Sequence, residues 1–156
     1  MARIEARLKE LGLELPTVLL KPRARSIGWR RSGRIVFLAG QGPMWNGKVA
    51  ITGRCGAGLA LERAQEAARL CALNLLVLLR AACGGDLDKV TACLMVQGYI
   101  RCTDDYNDTP LVLNGASSVF IDVFGEAGMH ARTAVGVNAL PLDIPVEVQA
   151  VFETDL

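Results

Sequence analysis

The sequence predicts one α+β domain, with two helices on one face of a sheet and elements in the order ββαβαββ. Three observations lead there. Residues 60–83 repeat apolar side chains at three- and four-residue steps. Several shorter segments alternate apolar with other side chains. Glycine, proline or polar clusters separate these segments. The length, 156 residues, suits a single domain spanning 1–156 that can bury a sizeable core.

Residues 1–16 are expected to form a helical leader, with Ile4, Leu8 and Leu11 on one face of a short helix over 2–12 that Leu13–Pro16 ends. Arg34–Ala39 reads as a strand running into Gly40-Gln41-Gly42-Pro43. Asn46-Gly47 is a strong turn signal, so Trp45 and Lys48–Thr52 are expected to flank a hairpin, with a loop over Gly53–Gly58. Gly53, Gly56 and Gly58 lack a following Lys-Ser/Thr and do not make a phosphate loop. In the helix over 60–83, Ala64, Ala67, Ala68, Cys71, Leu75, Leu78 and Leu79 form the inner stripe, and Gly84-Gly85 stops it. Lys89–Ile100 reads as a long strand with Val90, Ala92, Leu94, Val96 and Ile100 on one side. After a polar loop over Thr103–Pro110, a second helix is expected over Leu111–Phe124. Strands follow at Ala131–Val137 and Pro145–Phe152.

Composition narrows the function classes. With 17 Lys and Arg against 16 Asp and Glu, the charge is +1 and gives no reason to expect a nucleic-acid partner. The basic cluster of Lys21, Arg23, Arg25, Arg30, Arg31 and Arg34 reads as a solvated edge strand. The 5 cysteines include no CxxC or CxH pair, which fits buried free thiols in a reducing compartment better than a zinc site or a disulfide framework. Met1–Gly12 is charged rather than apolar, and Leu70–Leu79 is too short to cross a bilayer. A cytoplasmic protein without membrane contact is expected. High apolar content with few aromatics hints at an oligomer.

Strand parity points to one residue. It groups Thr133, Val135 and Val137 with Val146, Val148, Ala150 and Phe152 as the helix-covered set, and leaves Arg132, Ala134, Gly136 and Asn138 with Glu147 and Gln149 on the bare face. That face reads as small and polar, suited to a subunit interface holding a cleft. A guanidinium there matches a carboxylate with two parallel hydrogen bonds. Two readings of Arg132 stay open on the residues alone: a carboxylate anchor, or an ion pair with Glu147 across the sheet. His130, the single histidine, reads more readily as surface than as catalytic.

Several segments in order resemble the RidA/YjgF family, the reactive intermediate deaminases also labelled endoribonuclease L-PSP. They are His130-Ala-Arg-Thr-Ala-Val-Gly-Val137, Leu140-Pro141, Pro145-Val-Glu-Val-Gln-Ala-Val151, Phe37-Leu-Ala-Gly-Gln41, the helix segment 65–74 and Asn114-Gly-Ala-Ser117. The leader at 4–16 resembles the longer YjgF-like branch. The resemblance implies a chorismate-mutase-like fold and a homotrimer whose sheets form a central barrel, with clefts between subunits. It implies that Arg132 binds a substrate carboxylate, that Glu147 places an attacking water, and that Asn114, Gly40 and Gln41 line the cleft. Three cleft positions depart from the family pattern: Ser26 stands near a tyrosine, Ala39 at a serine and Ala134 at a cysteine. The implied activity is hydrolysis of a 2-imino acid to a 2-oxo acid and ammonia, without a cofactor. The alternative is a trimer that binds a small carboxylate metabolite without turnover. Ribonuclease activity fits poorly with one histidine, a near-neutral charge and no stacking platform.

Overall fold

A computed structural model of the protein describes residues 2–19 and 25–156, so Lys21 and Arg23 of the basic cluster fall outside the described residues. The elements are α1 (Arg3–Glu10), β1 (Trp29–Ser32), β2 (Ile35–Gln41), β3 (Met44–Trp45), β4 (Lys48–Val49), α2 (Leu61–Ala82), β5 (Val90–Arg101), α3 (Thr109–Phe124), β6 (Ala131–Val137) and β7 (Val146–Thr154). A five-stranded sheet runs β1-β2-β7-β5-β6, antiparallel except for the β5–β6 pair. Both long helices cover one face. Val36, Leu38, Val96, Ile100, Val146, Val148, Ala150 and Phe152 are buried beneath them, and Phe120 and Phe124 of α3 close on Phe152 at ring distances of 5.4 and 6.0 Å.

The expected ββαβαββ order holds, but its first pair is different from the one predicted. The basic segment supplies β1, an edge strand with Arg30 and Arg31 exposed, and Gly33 turns it into β2. The Asn46-Gly47 turn instead closes a two-residue ribbon, β3–β4, outside the main sheet. Asn74 of α2 anchors that ribbon by donating to the Met44 carbonyl at 2.8 Å.

Helix α2 stops where predicted. The Gly85 amide donates to the Arg80 carbonyl at 2.8 Å, and Gly84 and Gly85 take φ of 66° and 95°, which side chains resist. The leader helix α1 buries Ile4 and Leu8. It has no capping side chain of its own; Asp88 serves instead, accepting from the Arg3 and Ile4 amides at 2.7 Å each.

Two parities differ from those the alternation predicts. In β5, irregular pairing between Val90 and Met95 turns Cys93 into the core and leaves Leu94 outside. In β6 the whole strand is turned over. Arg132, Ala134 and Gly136 register with the buried Val96, Gly98 and Ile100, and therefore lie on the helix face. Thr133, Val135 and Val137 lie on the bare face. The reason is topology: β6 does not pair with β7 but forms a parallel edge on β5, under the start of α3. Space there is so short that a Cβ on Gly136 would stand 2.7 Å from Cys102 Sγ.

The bare face is also greasier than expected. It exposes Phe37, Leu94 and Val135 at 50%, 39% and 40%, around a Gln149–Gln97 hydrogen bond.

Candidate functional site

The sequence-selected residues fall into two groups, one at the β6 edge of the sheet and one on β2 and the central β7. The first is built by β6 and α3. Pro110 opens α3 at a position where its missing N–H costs nothing. Pro110, Asn114 and Ser117 then follow at helical steps along one face. Arg132 leans onto that face, donating from Nη1 to Ser117 Oγ at 3.1 Å and from Nη2 to the Pro110 carbonyl at 3.0 Å. Ser117 also meets His130 Nε2 at 2.9 Å. Ala134 packs nearby, its carbonyl accepting from Thr109 Oγ1 at 3.2 Å.

The second group lies on β2 and β7. The register passes from Leu38↔Ala150 to Gln41↔Val148, so three steps on β2 oppose two on β7. This bulge carries Ala39, Gly40 and Gln41, and Gln41 Nε2 donates back to the Gly40 carbonyl at 2.9 Å. Glu147 lies against it. A Cβ at Gly40 would come 3.0 Å from Glu147 Oε1, so only glycine leaves the carboxylate ordinary room. Burial pushes the Glu147 carboxyl above the usual range. Ser26 is exposed just before β1, whose approach is fixed by the Ala39 amide donating to the Gly28 carbonyl at 2.8 Å.

Within one chain, Arg132 and Glu147 do not meet, contrary to the shared face expected for them. Tyr99 pairs with both Glu147 and Val135, and Val135 is three positions along β6 from Arg132. The two side chains therefore sit two strands apart, on opposite faces. The ion-pair reading fails on this geometry, and Arg132 forms no ion pair among the described residues. Its guanidinium keeps three unshared N–H groups, enough to fork onto one carboxylate.

Ser117 and the contact His130 makes with it were not selected from sequence. The available signal was spacing: Ser117 lies one helical turn beyond Asn114, and His130 precedes Arg132 by two on the same strand side. The cysteines are buried and free, and burial pushes Cys93 up to about 12, which removes it as a nucleophile. Among the described residues no three His, Cys, Asp or Glu side chains converge as a metal site, and no helix is long and apolar enough to cross a membrane.

Comparison with known proteins bears on the family and the fold. The family model described as "YjgF/chorismate_mutase-like, putative endoribonuclease" matches residues 5–153. Protein TCP17 of Trypanosoma cruzi is 37% identical over 152 residues, covering 97% of this chain and 94% of its own. The crystal structure of Atu1372 from Agrobacterium tumefaciens superposes with a TM-score of 0.90 at 41% identity, covering 97% of this chain and 92% of that one. A Shewanella oneidensis structure described as "a putative endoribonuclease" gives 0.91 at 30% identity, covering 96% and 98%. With the family model spanning nearly the whole length and the fold shared at such identity, the chain belongs to the RidA/YjgF (endoribonuclease L-PSP) family.

Proposed function

We propose that the protein hydrolyses a 2-imino acid to the 2-oxo acid and ammonia in a cleft between subunits, with the substrate carboxylate on Arg132. The observation that carries this reading is Arg132 itself, held by two neutral acceptors and facing no carboxylate among the described residues. A cation held by neutral oxygens keeps its full charge for a ligand. The imine carbon is already electrophilic, so the reaction needs a placed water rather than a cofactor. Water adds to the C=N carbon, the nitrogen takes a proton, and ammonia leaves as the carbonyl forms. Glu147, whose carboxyl is held by burial above the usual carboxylate range, would orient that water. Asn114 is assigned to the substrate on the Arg132 side. Gly40 and Gln41 belong to the Glu147 side, with Ala39, Ala134 and Ser26 shaping the walls.

The two half-sites require a second copy. A head-to-tail ring brings the β6 margin of one subunit against the β1–β2 margin of the next. It also covers Phe37, Leu94 and Val135. A homotrimer closed in this way would form a barrel from its sheets.

The test is ammonia release from freshly generated 2-iminopropanoate. The wild type is expected to exceed the spontaneous rate, and Arg132→Ala to fall to it. A wild-type rate equal to background would sink the enzymatic reading for this substrate. Binding without turnover is favoured by Ser26 and Ala39, which stand where the family pattern has a tyrosine and a serine. Calorimetry with 2-oxo acids would then show binding that Arg132→Ala removes, with no ammonia released.

A further inference from the structure

We infer that Ser117 and His130 are positioning residues that aim the Arg132 guanidinium through a chain of directed hydrogen bonds. The inference rests on the reading of Arg132 as a carboxylate anchor and concerns how that anchor is held.

The chain begins at a fixed carbonyl. His130 Nδ1 lies 2.6 Å from the Gly128 carbonyl oxygen. A carbonyl only accepts, so Nδ1 carries the proton and Nε2 of the neutral ring is left as an acceptor. Gly128 is held rigidly, because a Cβ there would stand 2.1 Å from the Phe120 carbonyl oxygen and the two backbones are in contact. Nε2 faces Ser117 Oγ at 2.9 Å, so the serine hydroxyl donates to it. With its proton committed, Ser117 Oγ presents lone pairs to Arg132 Nη1, which donates at 3.1 Å. The Pro110 carbonyl fixes Nη2 at 3.0 Å.

Ser117 is only 7% exposed, so its hydroxyl has little access to water and depends on these partners. The His130 ring is held edge-on to Phe120 at 6.1 Å. Every donor in the relay therefore points one way, away from Arg132. Reversing the tautomer would set the Nε2 proton against the hydroxyl and leave the Gly128 carbonyl facing a bare nitrogen. A guanidinium fixed at two of its nitrogens presents its remaining N–H groups in one orientation, which reduces the cost of forking onto a carboxylate.

The sole histidine makes this directly measurable. In protein with 15N-labelled histidine and arginine, at mildly alkaline pH, the His130 spectrum is expected to show a protonated Nδ1 and an unprotonated Nε2. Rotation of the Arg132 guanidinium, assigned by its absence in Arg132→Lys, is expected to be slow in the wild type and fast in Ser117→Ala. Ser117→Thr, which keeps the hydroxyl, should restore slow rotation. His130→Gln, which keeps an acceptor, should stay closer to wild type than His130→Phe. Pyruvate affinity should fall about tenfold in Ser117→Ala and His130→Phe, on the scale of one lost charged hydrogen bond. An Nε2-protonated ring would overturn the inference. So would guanidinium rotation as slow in Ser117→Ala as in the wild type. Restrained rotation in a wild type that binds no 2-oxo acid would sustain the relay and defeat the carboxylate-anchor reading beneath it.

Discussion

Arg132 and Glu147 owe their chemistry to opposite kinds of surroundings. Arg132 is met by a hydroxyl and a carbonyl, which orient it without neutralising it. Replacement by lysine keeps the charge but loses the fork, so Arg132→Lys should bind 2-oxo acids roughly tenfold more weakly, and Arg132→Ala more weakly still, in calorimetric titrations. Glu147 is destabilised as an anion by burial. Its folded-state pKa lies above the unfolded value. The stability linked to its protonation is therefore fully present below the ordinary carboxylate range and lost as pH rises through the raised pKa. Glu147→Gln should thus melt above the wild type at pH 7, and the gap should close as the pH is lowered to 4. A gap of equal size at both pH values would argue against a burial-raised carboxyl.

At the scale of elements, two close contacts set where the site residues stand. Helix α3 touches α2 so closely that a Cβ on Gly115 would lie 2.0 Å from the Gln65 carbonyl oxygen. Gln65 Nε2 also ties to the Leu111 carbonyl at 2.9 Å. Gly115→Ala should therefore push α3 away and cost about 1–3 kcal/mol in denaturant unfolding. It should weaken ligand binding as well, since Asn114 and Ser117 ride on the same helix. The leader helix depends on Asp88, whose carboxylate is held below its usual range mainly by the Ile4 amide. With its folded pKa depressed, Asp88 stabilises α1 above the unfolded pKa, and that contribution fades as pH falls through the folded value. Asp88→Ala should speed amide exchange in α1 by roughly fivefold at neutral pH, the equivalent of a lost N-cap. The effect should shrink in acid.

For the whole molecule, the sheet has a covered face and a bare one. Exposed Phe37, Leu94 and Val135 on the bare face are hard to reconcile with a lone subunit, whereas a closed ring would bury them. If the proposed ring forms, Phe37→Asp should shift the sedimenting species toward monomer, and the proposed deaminase activity should fall with it, because each half-site would lose its complement. A native chain that sediments as a monomer would defeat the proposed cleft.

Local pattern was enough to place most elements. The stripe from Ala64 to Leu79 and the glycine pair after it located α2, because an amphipathic helix and its stop are written in neighbouring residues. The same holds for α3 and for the extents of β5, β6 and β7. Alternation also identified the buried side of β7. It failed for β6, where Val135 and Val137 look like core residues and are not. Which face a strand buries depends on its neighbour and on what lies above it. In β6 that was decided by a parallel pairing to β5 and by α3 starting close over Gly136, two contacts with partners distant in sequence. The sequence by itself therefore determined the class of fold and its element order, and it offered Arg132 as a candidate on a face it does not occupy. Only the tertiary structure separated Arg132 from Glu147 and joined it instead to Ser117 and His130, because strand order and face arise from packing and not from the pattern of any one segment.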